Sequence, residues 1–275
     1  MGGNPAGRDR LRGRIISHWF RFGNRVGGLP YQPAISYNPL TMQPCIDLRD
    51  VTVVYPNGVQ SLSDVNLTVD IGEFAFVVGP TGHGKSTLLK LLYAAEFPTR
   101  GQVLMSGQDV ARLSSLRIAR LRRRVGVVFQ DFRLLAQRTA WENVAFALHA
   151  IGVPYRAALR RVPRALDEVG MLDKADRFPP QLSAGEQQRL ALARVLGLDP
   201  AIILADEPTG NLDPRSSDQV IGLLEKINER GTTVLVATHD PAIVSRLRRR
   251  VIALREGRIV SDEGEAPYPD DLGRD

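Results

Sequence analysis

Apolar and polar residues begin to alternate at residue 45. Through Cys45-Ile-Asp-Leu-Arg-Asp-Val-Thr-Val-Val54 they exchange at roughly every second position, which predicts a half-buried strand. A Pro56-Asn-Gly58 turn follows, then a second strand through Val65 and Leu67 to Ile71. The pattern then changes. Phe74-Ala-Phe-Val-Val78 and Val125-Gly-Val-Val-Phe129 are short continuous apolar runs, as expected of strands covered on both faces. Lys85 to Leu92 reads as a helix. From Ala140 to about Asp176 the spacing is helical, broken at Pro154 and Gly170, and predicts an inserted helical subdomain over about residues 140–180. A helix from near Ser183, a strand at Ala201 to Ala205, a helix after Pro214, a strand at Thr233 to Ala237 and a helix after Pro241 complete the series. Strands alternating with helices imply an α/β fold with a parallel sheet between helical layers. Residues 1–41 carry no sustained periodicity; they are rich in Gly, Pro and Arg, with Trp19, Phe20 and Phe22 among them, and read as an appendage.

Composition narrows the class. The 275 residues suffice for one large α/β domain or two small ones, and 43% hydrophobic against 24% charged is ordinary for a globular protein. No run reaches the roughly 18–20 apolar residues of a membrane-spanning helix. The Arg-rich start lacks an apolar stretch followed by a small-residue cleavage site, so secretion is not expected. The single cysteine, Cys45, excludes an internal disulfide and a cysteine-based zinc site, and suits a reducing compartment. The net charge of +6 resides in the body, because six arginines against Asp9 in residues 1–41 offset six acids against Arg274 in residues 262–275. Its arginine clusters, Arg122 to Arg124 and Arg246 to Arg250, are expected to be solvated helix faces; no nucleic acid partner is expected.

Three motifs carry chemistry. Gly79-Pro-Thr-Gly-His-Gly-Lys-Ser86 has P-loop spacing, follows a strand and opens a helix. Glycines there let successive N–H groups turn onto phosphate oxygens, and the helix N-terminus adds partial positive charge. Lys85 would reach the β/γ-phosphates and the Ser86 hydroxyl would ligate Mg²⁺. Ile202-Ile-Leu-Ala-Asp-Glu207 is an apolar strand ending in two acids: Asp206 to hold the metal or its water, Glu207 to polarise an attacking water. Leu182-Ser-Ala-Gly-Glu-Gln-Gln-Arg189, taken alone, is a helix start with Ser183 as N-cap and Glu186 closing a capping box.

With the P-loop and the acidic strand end in place, that third segment resembles the signature sequence of the ABC (ATP-binding cassette) superfamily. The resemblance covers about residues 45–260. It implies a P-loop NTPase of the ABC ATPase type: a mainly parallel sheet, an antiparallel β subdomain and an inserted α-helical subdomain. It further implies an ATPase domain over 42–261 and an acidic tail over 262–275. Catalysis would fall to Glu207, His239 and Lys85. Tyr55 resembles the aromatic residue that stacks on adenine, and Gly79, Pro80, Thr81, Gly82, His83, Gly84, Lys85, Ser86 and Thr87 would hold the nucleotide. Gln130 resembles the Q-loop glutamine near Mg²⁺, so the metal set becomes Ser86, Gln130 and Asp206. Asn211-Leu-Asp213 resembles the D-loop that meets a second subunit. Ser183, Gly185 and Glu186 would face the γ-phosphate bound to that subunit, making a homodimer with ATP and Mg²⁺ between its halves. Two positions depart from the family pattern. Ala184 stands where Gly is usual, without strain if its backbone is helical, and His83 stands where a small residue is usual.

Within the superfamily, Lys85-Ser-Thr-Leu-Leu-Lys-Leu-Leu-Tyr93, Gly126-Val-Val-Phe-Gln-Asp-Phe-Arg-Leu-Leu135 and Arg138-Thr-Ala-Trp-Glu-Asn143 are similar to the FtsE family of cell-division ATPases. That likeness implies a peripheral protein on the cytoplasmic face of the plasma membrane, paired with an integral subunit resembling FtsX and regulating cell-wall hydrolysis. Leu204-Ala-Asp-Glu-Pro-Thr-Gly-Asn-Leu-Asp-Pro214 and Ala237-Thr-His-Asp240 are shared with lipoprotein-release and macrolide-type exporters, the alternative. The expected groove for the membrane partner draws on Phe132, Leu134, Leu135, Trp141, Val144 and Phe146. Residues 1–41 are expected to be dispensable for ATP turnover, either as a start assigned upstream of Met42 or as a basic tail resting on anionic lipid.

Overall fold

In the computed structural model, residues 44–269 and 272 are described. The expectations for residues 1–41 lie outside them. Two sheets organise the chain. One is antiparallel, in the order β2-β1-β4-β5, from β1 (Ile46–Val54), β2 (Gln60–Val69), β4 (Arg100–Met105) and β5 (Gln108–Asp109). The other runs β10-β9-β3-β8-β7-β6, from β3 (Phe74–Val78), β6 (Val125–Val128), β7 (Ile202–Asp206), β8 (Thr233–Thr238), β9 (Arg250–Arg255) and β10 (Arg258–Glu263). Neighbours in it pair in parallel except at the β10 edge.

The continuous apolar runs are explained by two cores, one on each face of the parallel sheet. Side chains alternate along a strand, so Phe74, Phe76 and Val78 enter one core while Ala75 and Val77 enter the other. The same alternation divides Ile203 and Ala205 from Ile202 and Leu204, and Val234 and Val236 from Leu235 and Ala237. The second core holds α1 (Lys85–Leu92) against the antiparallel sheet. The first is shared with the helical insertion, α3 (Ala140–Ala150) and α4 (Tyr155–Glu168), and with α5 (Ala184–Leu196) and α6 (Pro214–Asn228). No helix among the described residues is long and apolar enough to cross a membrane.

Several expectations are corrected here. β2 runs from Gln60 to Val69, and Ile71 lies beyond its end, half exposed. β10 continues to Glu263, and within it Asp262 takes a bond from Arg250 at 2.7 Å on each carboxylate oxygen. Ala266 and Leu272 are buried in the first core. In the arginine clusters Arg122, Arg246 and Arg248 are exposed, as expected of solvated faces, and several members also carry partners. Arg246 pairs with Asp218 and Arg249 with Glu225, both acids of α6. Arg122, in α2 (Ser115–Arg124), donates to the carbonyls of Tyr93 and Ala94, capping the end of α1. Of the expected groove residues, Trp141 and Val144 turn into the core, whereas Leu135 and Phe146 are exposed.

Candidate functional site

The C-terminal ends of β3, β7 and β8 open on one edge of the parallel sheet, where an α/β fold places its ligands. After β3 the chain turns through Gly79, Gly82 and Gly84, all with positive φ, before entering α1. Gly84 has φ 103° and its carbonyl accepts from Leu88 N–H. A Cβ there would stand 2.6 Å from Ser61 O, so a larger residue is excluded by contact as well as conformation. The loop wraps the Lys85 ammonium, which donates to Gly79 O at 2.6 Å and Pro80 O at 3.1 Å. Thr81 and Gly82 are exposed at the loop crest.

β7 delivers its two acids to different partners. Asp206 Oδ1 accepts the Ser86 hydroxyl at 3.1 Å. Burial pushes the Asp206 carboxyl above its ordinary value, with the bond from Ser86 acting against that shift. Glu207 sits at φ 48°, a left-handed backbone unusual for a side-chain-bearing residue. Its Oε1 lies 3.5 Å from Lys85 Nζ and 2.9 Å from His239 Nδ1. A carboxylate has no proton to give, so Nδ1 carries the hydrogen in that contact, leaving Nε2 for a further partner. One carboxylate therefore spans the loop lysine and the histidine after β8.

The remaining expected residues fall into two groups. Tyr55 follows β1 and its hydroxyl lies 3.0 Å from Thr87 Oγ1, which Ser61 Oγ also approaches at 2.8 Å. The Thr87 hydroxyl is thus engaged with the β subdomain. Gln130 follows β6; it makes no hydrogen bond to Ser86 or Asp206 among the described residues, and its amide rests against Gly210 instead. Gly210 lies in the turn between Glu207 and Leu212. Asp213 caps α6, accepting from Ser216 N–H, and its carboxyl is held below the ordinary range by Ser216.

Ser183, Gly185 and Glu186 form the start of α5. Ser183 Oγ accepts Glu186 N–H at 3.3 Å, and Glu186 Oε2 accepts Ser183 N–H at 3.0 Å. Lys174 bonds the same carboxylate and holds it below its ordinary value. Ala184 is the first helical residue with no positive φ, so its methyl is accommodated without strain. Gly185 is required by contact: a Cβ would lie 2.4 Å from Ser216 Oγ at the start of α6.

Three connections escaped the sequence reading. Gln188, fully buried in α5, donates to Pro208 O at 2.7 Å and ties that helix to the loop after Glu207. Arg194, further along α5, donates to Phe132 O at 3.0 Å and to Arg133 O, holding the segment after Gln130. The turn between β9 and β10 bonds to the phosphate loop at His83. None has a periodic signature. Only the Glu256-Gly257 pair, between two strand-like runs, offered a sequence signal.

No cluster of three or more His, Cys, Asp or Glu that could hold a metal occurs among the described residues. A hydroxyl bonded to one partly buried carboxylate does occur, and that pair fits Mg²⁺, which takes one or two protein oxygens and the rest from phosphate and water.

A glycine-lined loop around a lysine, strand-end acids and a covering histidine, on a parallel sheet with an antiparallel subdomain, define a P-loop ATPase fold of the cassette type. The family model described as ABC transporter matches residues 62–210. The cell division ATP-binding protein FtsE of Bacillus subtilis (strain 168) is 49% identical over 223 residues, spanning 81% of this chain and 98% of that protein. FtsE of Mycobacterium tuberculosis (strain ATCC 25618 / H37Rv) is 50% identical over 224 residues, spanning 81% and 97%. Among solved structures, an ATP-binding cassette in a dimeric post-hydrolysis state bound to ADP and Pi superposes with TM-score 0.74 at 36% identity, covering 81% of this chain and all of that one. The chain belongs to the ABC transporter family, within its FtsE-like ATP-binding branch.

Proposed function

We propose that this chain binds and hydrolyses ATP as the cytoplasmic subunit of a membrane-bound cell-division complex of the FtsE type, working as a nucleotide-sandwiched homodimer. The observation that carries the reading is the carboxylate of Glu207, poised between Lys85 and His239 beside the Ser86–Asp206 pair. The Gly79–Thr87 loop binds the phosphates through its amides, with Lys85 as counter-charge to the γ-phosphate. Tyr55, at the mouth of the loop, stacks on the base. Ser86 and Asp206 would hold Mg²⁺, which would supply positive charge against the phosphates, with Gln130 proposed to join them once its amide leaves Gly210. Glu207 orients the attacking water and takes its proton, while His239 steadies that carboxylate and presents Nε2 to the γ-phosphate.

The second half of the site comes from the partner copy. Ser183 and the free amides of α5 form an anion-accepting helix start. Gly185 and Glu186 shape it, and Asp213 stands at the facing loop. The dimeric cassette reported above supports this arrangement. The exposed Leu135, in the segment before α3, and Phe146, on α3, supply a surface for a helix of an FtsX-like integral subunit. The FtsE relatives favour division over the exporter alternative.

Replacing Glu207 with Gln keeps the shape and removes the base. The variant is expected to bind ATP, accumulate dimers on sizing and release phosphate at a small fraction of the normal rate; near-normal turnover would sink the assignment. Purification from membranes of the native host is expected to bring down one integral protein, and its identity decides between division and export.

A further inference from the structure

We propose that the side chain of His83 is a positioning residue for the phosphate loop. It fastens the loop to the β9–β10 turn, so that nucleotide affinity depends on it more than the chemical step does. This rests on the ATP reading above and names a contribution that the P-loop pattern, which leaves this position open, does not ask for.

The geometry begins with the turn. Arg255 pairs with Arg258, leaving Glu256 at φ 49° and Gly257 at φ 74°, a two-residue hairpin with both central residues left-handed. Both amides of that turn point at one residue of the phosphate loop. Glu256 N–H donates to His83 Nδ1 at 3.0 Å, and Gly257 N–H donates to His83 O at 3.2 Å. The turn itself is anchored to β2, where Gly257 O accepts Ser63 N–H at 2.8 Å, and a Cβ on Gly257 would lie 2.6 Å from Ser61 O.

His83 sits between Gly82 at φ 84° and Gly84 at φ 103°. Glycines give that arch its phosphate-binding shape and also its freedom, since they lose the most conformational entropy when ordered. A loop held in its binding conformation before the ligand arrives avoids that cost at binding. Here two bonds from outside the loop do the holding, Gly257 N–H to His83 O and Glu256 N–H to Nδ1, and only an acceptor at the place of Nδ1 can make the second. The proton therefore resides on Nε2.

The test compares His83→Ala with His83→Asn, whose Oδ1 occupies nearly the position of Nδ1. A hydrogen bond of ordinary net strength corresponds to about a two- to tenfold change in affinity. His83→Ala is expected to weaken ATP binding and raise KM by about that factor with kcat within about twofold, and His83→Asn to restore most of the loss. Equal affinity in wild type and His83→Ala overturns the proposal, as does an equal loss in Ala and Asn. Amide hydrogen exchange reads the bond without nucleotide: Glu256 should exchange faster in His83→Ala than in wild type or His83→Asn. Unchanged exchange refutes the fastening. A wild-type chain that binds no nucleotide while Glu256 responds as expected would refute the ATPase reading instead.

Discussion

Removing one hydroxyl at Ser183 separates two roles that coincide at the start of α5. As a cap, Ser183 Oγ satisfies Glu186 N–H, and its loss costs about 1 kcal/mol. At this chain length that lowers Tm by about 2–4 °C. If the same hydroxyl also meets a phosphate across the dimer, a hydrogen bond to a charged group goes with it, about 1.5–3 kcal/mol. At 1.36 kcal/mol per tenfold, turnover falls by about 10- to 150-fold. The fold supplies its own control. Thr139 opens α3 with a capping box of the same construction, accepting Glu142 N–H at 3.2 Å while Glu142 accepts Thr139 N–H at 2.8 Å. Thr139→Ala should therefore match Ser183→Ala in thermal unfolding and differ from it in steady-state phosphate release at saturating ATP and Mg²⁺. Equal turnover in the two variants would confine Ser183 to capping and refute the composite site.

Two other perturbations test the interior chemistry. Asp206→Asn should abolish Mg²⁺-dependent hydrolysis yet raise Tm of the ligand-free protein near neutral pH: burial raises this carboxyl's pKa, so its favourable share of stability is complete below the unfolded value and lost as pH rises through the folded one. A lower Tm for the variant above pH 7 would contradict this. Cys45, whose thiol burial pushes up to about 11 and which donates to Val69 O, should resist a thiol reagent at pH 8 in the native protein and titrate as one group after unfolding; rapid native labelling would refute its placement.

The site was legible where chemistry is local in sequence. The phosphate loop, the acids ending β7 and the box at Ser183 each occupy a few consecutive residues, and continuous apolar runs marked the strands carrying them. Harder to read was structure made by distant pairing. β4 joins β1 across some fifty residues and carries β5 on its outer edge, and neither has a strong alternation. α2 buries none of its residues, so its Ile118 and Leu121 leave too thin a stripe among arginines to predict a helix. β9 and β10 were hidden by charge, since Arg250, Arg255 and Arg258 interrupt the pattern that their pairing restores. The same limit explains Trp141 and Val144, where helical spacing shows that one face is apolar but not which body it packs against.

That body is the helical layer: α3 packs against α4 and α5, and α5 in turn against β6. Leu148, Val162 and Leu190 lie in one continuous cluster with Phe76, Ile203 and Val236, so the helical insertion and the sheet share an interior rather than meeting across a wet hinge. Close-packed interiors are stiff and respond to load by moving between discrete packings. A push on exposed Phe146 would therefore be felt at β7 as torque on a loaded beam rather than absorbed as slack. A shared interior of this kind would let the cassette act as a lever that pivots within its own core.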